Sequence, residues 1–300
     1  MQILKLFGIA TVAVLGPWPK TAIAQNLAAV PDHPTVTVQG QTYSPRSILA
    51  RNMGTPEDQT TAFPPHKIIG NLYYVGTRTL SSFLVATPEG NILIDSTYER
   101  NVPVIRKSVE QLGFKFSDVK ILLGSHAHGD HQEGDAMVKE LTGAQVMAMA
   151  EDVPALEAMK PGGKPHPIDR VLHDGDTVSL GGTTLAAHLT PGHTRGCTTW
   201  TMKAQEGGKT YDVMINCSLR APAELTPAII DEFNRSFKIV RALPCDVQLG
   251  DHPAQYGLQA KYARRREGAP NPFIDRASCT READIEEALF RAMLAEQPKK

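Results

Sequence analysis

Three histidines and an aspartate fall within six consecutive residues in His126-Ala127-His128-Gly129-Asp130-His131. Imidazole nitrogens with one carboxylate form a donor set that suits zinc. An isolated histidine is more often packed or solvated than coordinating, but four such side chains so close together point to metal. On a helix, residues two apart face different directions, so His126 and His128 cannot meet one ion there. On an extended loop they project to the same side. Asp130 and His131 follow at the turn into a helix expected over about 134–141, where they can bend toward a second ion. Two ions share these four ligands more easily than one.

Two more histidines stand in similar places. His193 lies in Thr190-Pro191-Gly192-His193-Thr194, a tight turn directly after an expected strand, and His252 lies in Leu249-Gly250-Asp251-His252-Pro253, just past a short apolar run. If the sheet edges converge, five histidines and one aspartate are enough for two three-ligand sites, each leaving room for water or substrate. His33, His66, His166, His173 and His188 lack such settings and read as structural or solvated. Asp95 ends the apolar stretch Ile92-Leu93-Ile94. It can either orient the metal loop from behind or cap the helix expected over about 100–113.

These residues need elements that bring them to one rim. Val119, Ile121, Leu122 and Leu123 form a short apolar run ending in Gly124-Ser125, as a buried strand opening into a loop does. Further strands are expected over 67–75, 82–86, 91–95, 145–149, 177–180, 184–189, 198–203, 211–216 and 246–249. Helices are expected over 152–159 and 227–243, with two more closing the chain. Residues 25–65 read as an extended arm with one helix around 44–53. The 151–165 segment, with Lys160-Pro161-Gly162-Gly163, is a loop that reads either as a wall of the substrate cleft or as plain surface. Two strand-rich halves, each followed by helices, predict an α/β sandwich of two packed sheets with helices outside, in one domain over 25–300.

Lys5, the apolar run 6–15 and Ala22-Ile23-Ala24 read as a secretory signal over residues 1–24. The expected product is exported, periplasmic in a Gram-negative source, with no membrane span. The net charge of -1, becoming -3 once Lys5 and Lys20 are removed, excludes a nucleic-acid footprint. Arg264-Arg265-Arg266 is a solvated helix face. The four cysteines, Cys197, Cys217, Cys245 and Cys279, suit an oxidising compartment, and their number allows three pairings.

The pattern His126-x-His128-x-Asp130-His131, followed by Pro-Gly-His193 and a final His252, resembles the metallo-β-lactamase superfamily from about residue 66 onward. The resemblance implies an αββα sandwich with metals at one edge. Within it, Asn216-Cys217-Ser218-Leu219-Arg220 looks like subclass B3: another lactamase subclass places a cysteine ligand at the position of Ser218, and glyoxalase-type hydrolases place a bridging aspartate near there. This likeness implies two zinc ions per chain, one held by His126, His128 and His193, the other by Asp130, His131 and His252. It also implies disulfides Cys197–Cys217 and Cys245–Cys279. Asp130 is then the catalytic group that orients the attacking oxygen, and Ser218 and Arg220 are candidates for the substrate carboxylate, with Arg220 standing where a serine is common. The implied partner is a small-molecule β-lactam and the implied state a monomer. The rival readings are a lactonase or thioester hydrolase of the same fold and a catalytically silent zinc-binding protein.

Overall fold

Strands that are apolar on both faces must be covered on both faces, and the chain builds its layers around two groups of them. In the computed structural model, residues 27–268 and 270–297 are described; the signal expected over 1–24 lies outside them. The arm carries a small hairpin, β1 (Val36–Val38) and β2 (Gln41–Tyr43), then helix α1 (Pro45–Met53). Ser44 caps α1: its hydroxyl accepts from the Ser47 N–H, and Ser47 returns the bond to the Ser44 N–H.

The first sheet holds seven strands in sequence order: β3 (His66–Ile69), β4 (Leu72–Tyr74), β5 (Phe83–Thr87), β6 (Gly90–Ile94), β7 (Val119–Leu123), β8 (Gln145–Met149) and β9 (Arg170–Leu172). The strand expected over 67–75 is a hairpin, because Gly70 at φ 53° and Asn71 turn the chain between β3 and β4. The β9 edge strand had too few apolar residues to be expected. From β6 to β9 the pairing is parallel, so β6, β7 and β8 all end at one rim. Helices α2 (Val102–Gln111), α3 (Gly129–Gln132), α4 (Asp135–Thr142) and α5 (Val153–Ala158) lie in their connections.

The second sheet runs β10 (Thr177–Leu180), β11 (Thr183–Leu189), β12 (Thr198–Glu206), β13 (Lys209–Asn216) and β14 (Val247–Gly250). Because β12 is antiparallel to both β11 and β13, and β14 is parallel to β13, the strands β11, β13 and β14 also end together. Helices α6 (Pro227–Ala242), α7 (Leu258–Arg266) and α8 (Arg281–Glu296) complete the chain.

Alternation along each strand assigns the layers. Ile92, Ile94, Ile121 and Leu123 meet Leu185, Trp200, Met202 and Ile215 between the sheets. Leu84, Leu93 and Leu122 face outward onto Val102, Ile105 and Val109 of α2 and Val138 of α4. Met214 faces outward onto Phe233 and Phe237 of α6 and Phe290 of α8. The result is the expected αββα sandwich. Among the described residues no helix is long and apolar enough to cross a membrane.

Candidate metal centre

Every residue singled out for metal leaves the same rim of the two sheets. His126 and His128 follow β7, with His128 at the start of α3, and Asp130 and His131 ride on that single helical turn. His193 follows β11, and His252 follows β14. Two glycines make the close approach possible. A Cβ on Gly124 would lie 2.1 Å from the Gln132 side chain, and one on Gly250 would lie 2.0 Å from Gln255 Oε1.

The structure brings all six together as two triads. The donor atoms of His126, His128 and His193 lie within 4.8 Å of one another, as do those of Asp130, His131 and His252. The triads adjoin: the His126 and His131 ring centroids are 4.2 Å apart.

Second partners settle which nitrogen each ring offers. His193 Nδ1–H donates to the Arg220 carbonyl at 2.8 Å and His252 Nδ1–H to the Thr79 carbonyl at 3.0 Å, so both present Nε2. His131 Nδ1–H faces Asp95 Oδ2 at 3.2 Å. His126 Nδ1 sits 3.1 Å from Ser125 Oγ and 3.4 Å from Asp251 Oδ2, while its Nε2 points to His128 Nδ1 at 3.1 Å.

Burial lowers the proton affinity of His126, His193 and His128, and neighbouring histidines add to it; their lone pairs are therefore free. Burial also works against charge on Asp130, yet the rings of His131, His252 and His128 hold its carboxyl well below the usual carboxylate range. His131 is the exception among the rings. Burial opposes its protonation, but Asp130 and Asp95 outweigh that and raise it well above an ordinary histidine. Its Nε2 is buried with no hydrogen-bond partner, although Asp130 Oδ2 is 3.3 Å away. A site that draws a proton in between two carboxylates and leaves a ring nitrogen orphaned is built for a cation. Five imidazoles, His131 among them once an ion takes the place of its proton, and one carboxylate, three donors to each triad, fit zinc.

Three buried aspartates tie the loops. Asp95 accepts from the Ser125 N–H (2.6 Å) and hydroxyl (2.8 Å) as well as facing His131, so it orients the metal loop; α2 begins at Val102, beyond it. Asp95 and Thr97 sit at φ 61° and 57°. Such left-handed backbone is costly for a threonine, and it hooks the chain so that the Thr97 N–H reaches the His131 carbonyl at 2.9 Å. Asp152 accepts from the N–H groups of Ala127 (2.8 Å) and Gly196 (2.7 Å) and from the Thr194 hydroxyl (2.8 Å), joining the His126 loop to the His193 turn. Asp251 accepts from the Ser218 N–H (2.7 Å) and hydroxyl (3.1 Å) and from Gln255 Nε2 (2.8 Å). Asp152 and Asp251 were missed at the level of sequence. A signal existed: Asp251 immediately precedes a ligand, and Asp152 follows an apolar strand as Asp95 does.

Disulfides join Cys197 to Cys217 and Cys245 to Cys279. The first lies beneath the site, with Cys217 Sγ 3.6 Å from His126 Nδ1; both its sulfurs are spent, so neither is a thiolate ligand. Ser218 and Arg220 line the cleft over the two triads together with Leu49, Asn52 and Met53 of α1. None of residues 151–165 lines this space, and α1 does. Of the other histidines, His166 is buried against Asp135 at 3.1 Å, His33 meets Glu296 at the surface and His188 bonds Thr201.

Comparison with known proteins agrees with this geometry. Residues 75–205 match the family described as the metallo-beta-lactamase superfamily. The fold superimposes on the native FEZ-1 metallo-beta-lactamase of Legionella gormanii with a TM-score of 0.76 at 44% identity, covering 79% of this chain and 98% of that one. It superimposes on BJP-1, a subclass B3 metallo-beta-lactamase of Bradyrhizobium japonicum, with a TM-score of 0.74 at 37% identity, covering 80% and 97%. By sequence, the chain is 32% identical over 154 residues to a hydroxyacylglutathione hydrolase of Hyphomonas neptunium, covering 51% of this chain and 54% of that protein. It thus spans about half the length of the curated relatives it matches. With a likeness of 44% over almost the whole of a solved lactamase, and the two triads in place, the chain belongs to the metallo-β-lactamase superfamily of hydrolases and is most like its subclass B3 members.

Proposed function

We propose that this protein is a dizinc β-lactam hydrolase of the B3 type that opens the lactam ring with water. The observation that carries the reading is the donor set: two complete triads, with Ser218 bonded to Asp251 where other branches of the superfamily supply a cysteine or a bridging aspartate. Support also comes from the solved B3 lactamase it matches over 97% of that chain, against about half for the thioester hydrolases.

His126 Nε2, His128 Nδ1 and His193 Nε2 would hold one zinc, and Asp130, His131 Nε2 and His252 Nε2 the other. Zinc bound so supplies Lewis acidity and brings the pKa of a water toward about 7. The chain supplies the rest. Asp130, kept ionised, accepts a hydrogen bond from the attacking water and fixes its line of attack on the lactam carbonyl carbon. The water's oxygen ends in the new carboxylate and its proton on the ring nitrogen as the C–N bond breaks, so the product is an amino acid and no atom is left over. Ser218 has its hydroxyl committed to Asp251, so Arg220, whose guanidinium forms no ion pair among the described residues, is the stronger partner for the substrate carboxylate.

The intact disulfides support an exported protein, and export of a lactam hydrolase would confer resistance to β-lactams, carbapenems among them. The single domain over 25–300, the periplasmic location after signal removal and the monomeric state belong to the same proposal. A second reading, thioester hydrolysis, is favoured by the hydroxyacylglutathione hydrolase matches. Assays with a chromogenic cephalosporin, a homoserine lactone and S-lactoylglutathione, each with and without chelator, separate the readings. Chelator-sensitive turnover of the cephalosporin is expected; turnover of the thioester alone would replace this proposal with the second.

A further inference from the structure

The space left above the two triads is about 10 Å³, about the least that can hold one water. Leu49, Asn52 and Met53 of α1 close it from above. Beside it lies a cavity of about 310 Å³, lined by Val30 and Pro31 of the arm, by Ala223, by Met293 at the end of α8, and at its polar edge by Glu296, whose carboxylate is paired with His33 at 2.8 Å. That is the volume of a small-ligand site and its lining is mostly apolar, as such sites are. Arg220 lines both spaces. It is half-buried and its guanidinium makes no hydrogen bond or ion pair among the described residues, while its own carbonyl orients His193. An arginine with no close ion pair, felt by the buried Glu286 carboxyl only at longer range, on the wall between a metal cleft and an apolar chamber, marks where an anionic group with an apolar neighbour belongs.

We infer that the chamber between the N-terminal arm and α8 is a binding site for the apolar substituent of an anionic ligand whose carboxylate is held by Arg220. The inference rests on the lactam reading for one further step. In a bicyclic lactam the carbon that bears the carboxylate is bonded to the lactam nitrogen. Holding that carboxylate at Arg220 therefore sends the substituent on the same fused ring, and not the acylamino side chain on the lactam ring, into the chamber.

Calorimetric titration of the metal-free, full-length mature protein with 4-phenylbutyrate and with its uncharged amide tests the chamber apart from catalysis. The acid should bind at least tenfold more tightly than the amide. Arg220→Gln should remove that preference, and Ala223→Trp, a change at an exposed position, should abolish binding of both while the melting temperature is unchanged. Val30→Trp fills the chamber from the opposite wall and should do the same. With zinc restored, Ala223→Trp should raise at least tenfold the ratio of KM for a cephalosporin with a bulky apolar ring substituent to KM for one with a methyl there. No binding of the acid, equal binding of acid and amide, or binding indifferent to both tryptophan variants would overturn the inference. If the titrations behave as stated and no lactam is turned over, the lactam reading fails and the chamber's ligand class stands.

Discussion

Asp251 accepts from Ser218 twice and from Gln255 while facing His126, so one carboxylate fixes both a ligand ring and the loop that leads to Arg220. Groups in this position usually change metal affinity by about 10–100-fold. Asp251→Ala should weaken zinc binding by that order in competition with a chromophoric chelator, and Asp251→Asn, which keeps an acceptor, should weaken it less. His193→Ala should lower the bound zinc from two ions per chain to one by native mass spectrometry, because it empties one triad and leaves the other whole. The members of the two triads were legible in the sequence because four of the six are neighbours and the other two sit in tight turns after strands. Asp152 and Asp251 were legible only by position, one after an apolar strand and one just before His252, because their partners Gly196 and Ser218 are 44 and 33 residues away and position alone does not say what an aspartate will meet.

Helix α1 shows the same limit one level up. Ser44-Pro45 announces a helix start, but an amphipathic stretch says only that one face is buried, not that it closes a metal cleft. α1 is fastened to α8 by the Arg51–Glu282 pair at 2.5 Å, and Glu286 lies buried beside it. Burial, and then the negative charge of Glu282, push the Glu286 carboxyl up to about 8. The folded protein therefore keeps a proton that the unfolded chain releases above about pH 4. The stabilisation this gives is complete below about pH 4 and is lost as pH rises through about 8. Glu286→Gln should abolish that decline, becoming more stable than the parent by over about 1 kcal/mol at pH 9 while differing little at pH 4, in urea melts. The Cys245–Cys279 bridge spans 34 residues and ties the end of α6 to the start of α8. Replacing both cysteines with serine should cost about 3 kcal/mol in the same melts, with zinc content retained because neither sulfur is near a triad.

At the scale of the whole molecule, the αββα layering was legible because each half of the chain shows strands apolar on both faces, which only covered sheets can hold. The register that makes β6, β7, β8, β11, β13 and β14 end at one rim was not, since it depends on which strands pair. That convergence is what turns six scattered side chains into two triads, and the central claim is that the triads hold two zinc ions and hydrolyse a lactam. The direct measurement is carbapenem hydrolysis by the purified mature protein during stepwise zinc return after chelation. The account predicts no turnover in the chelated protein and full recovery at two equivalents of zinc. Turnover that survives chelation, or a two-zinc protein that leaves the carbapenem intact while cleaving S-lactoylglutathione, would contradict it.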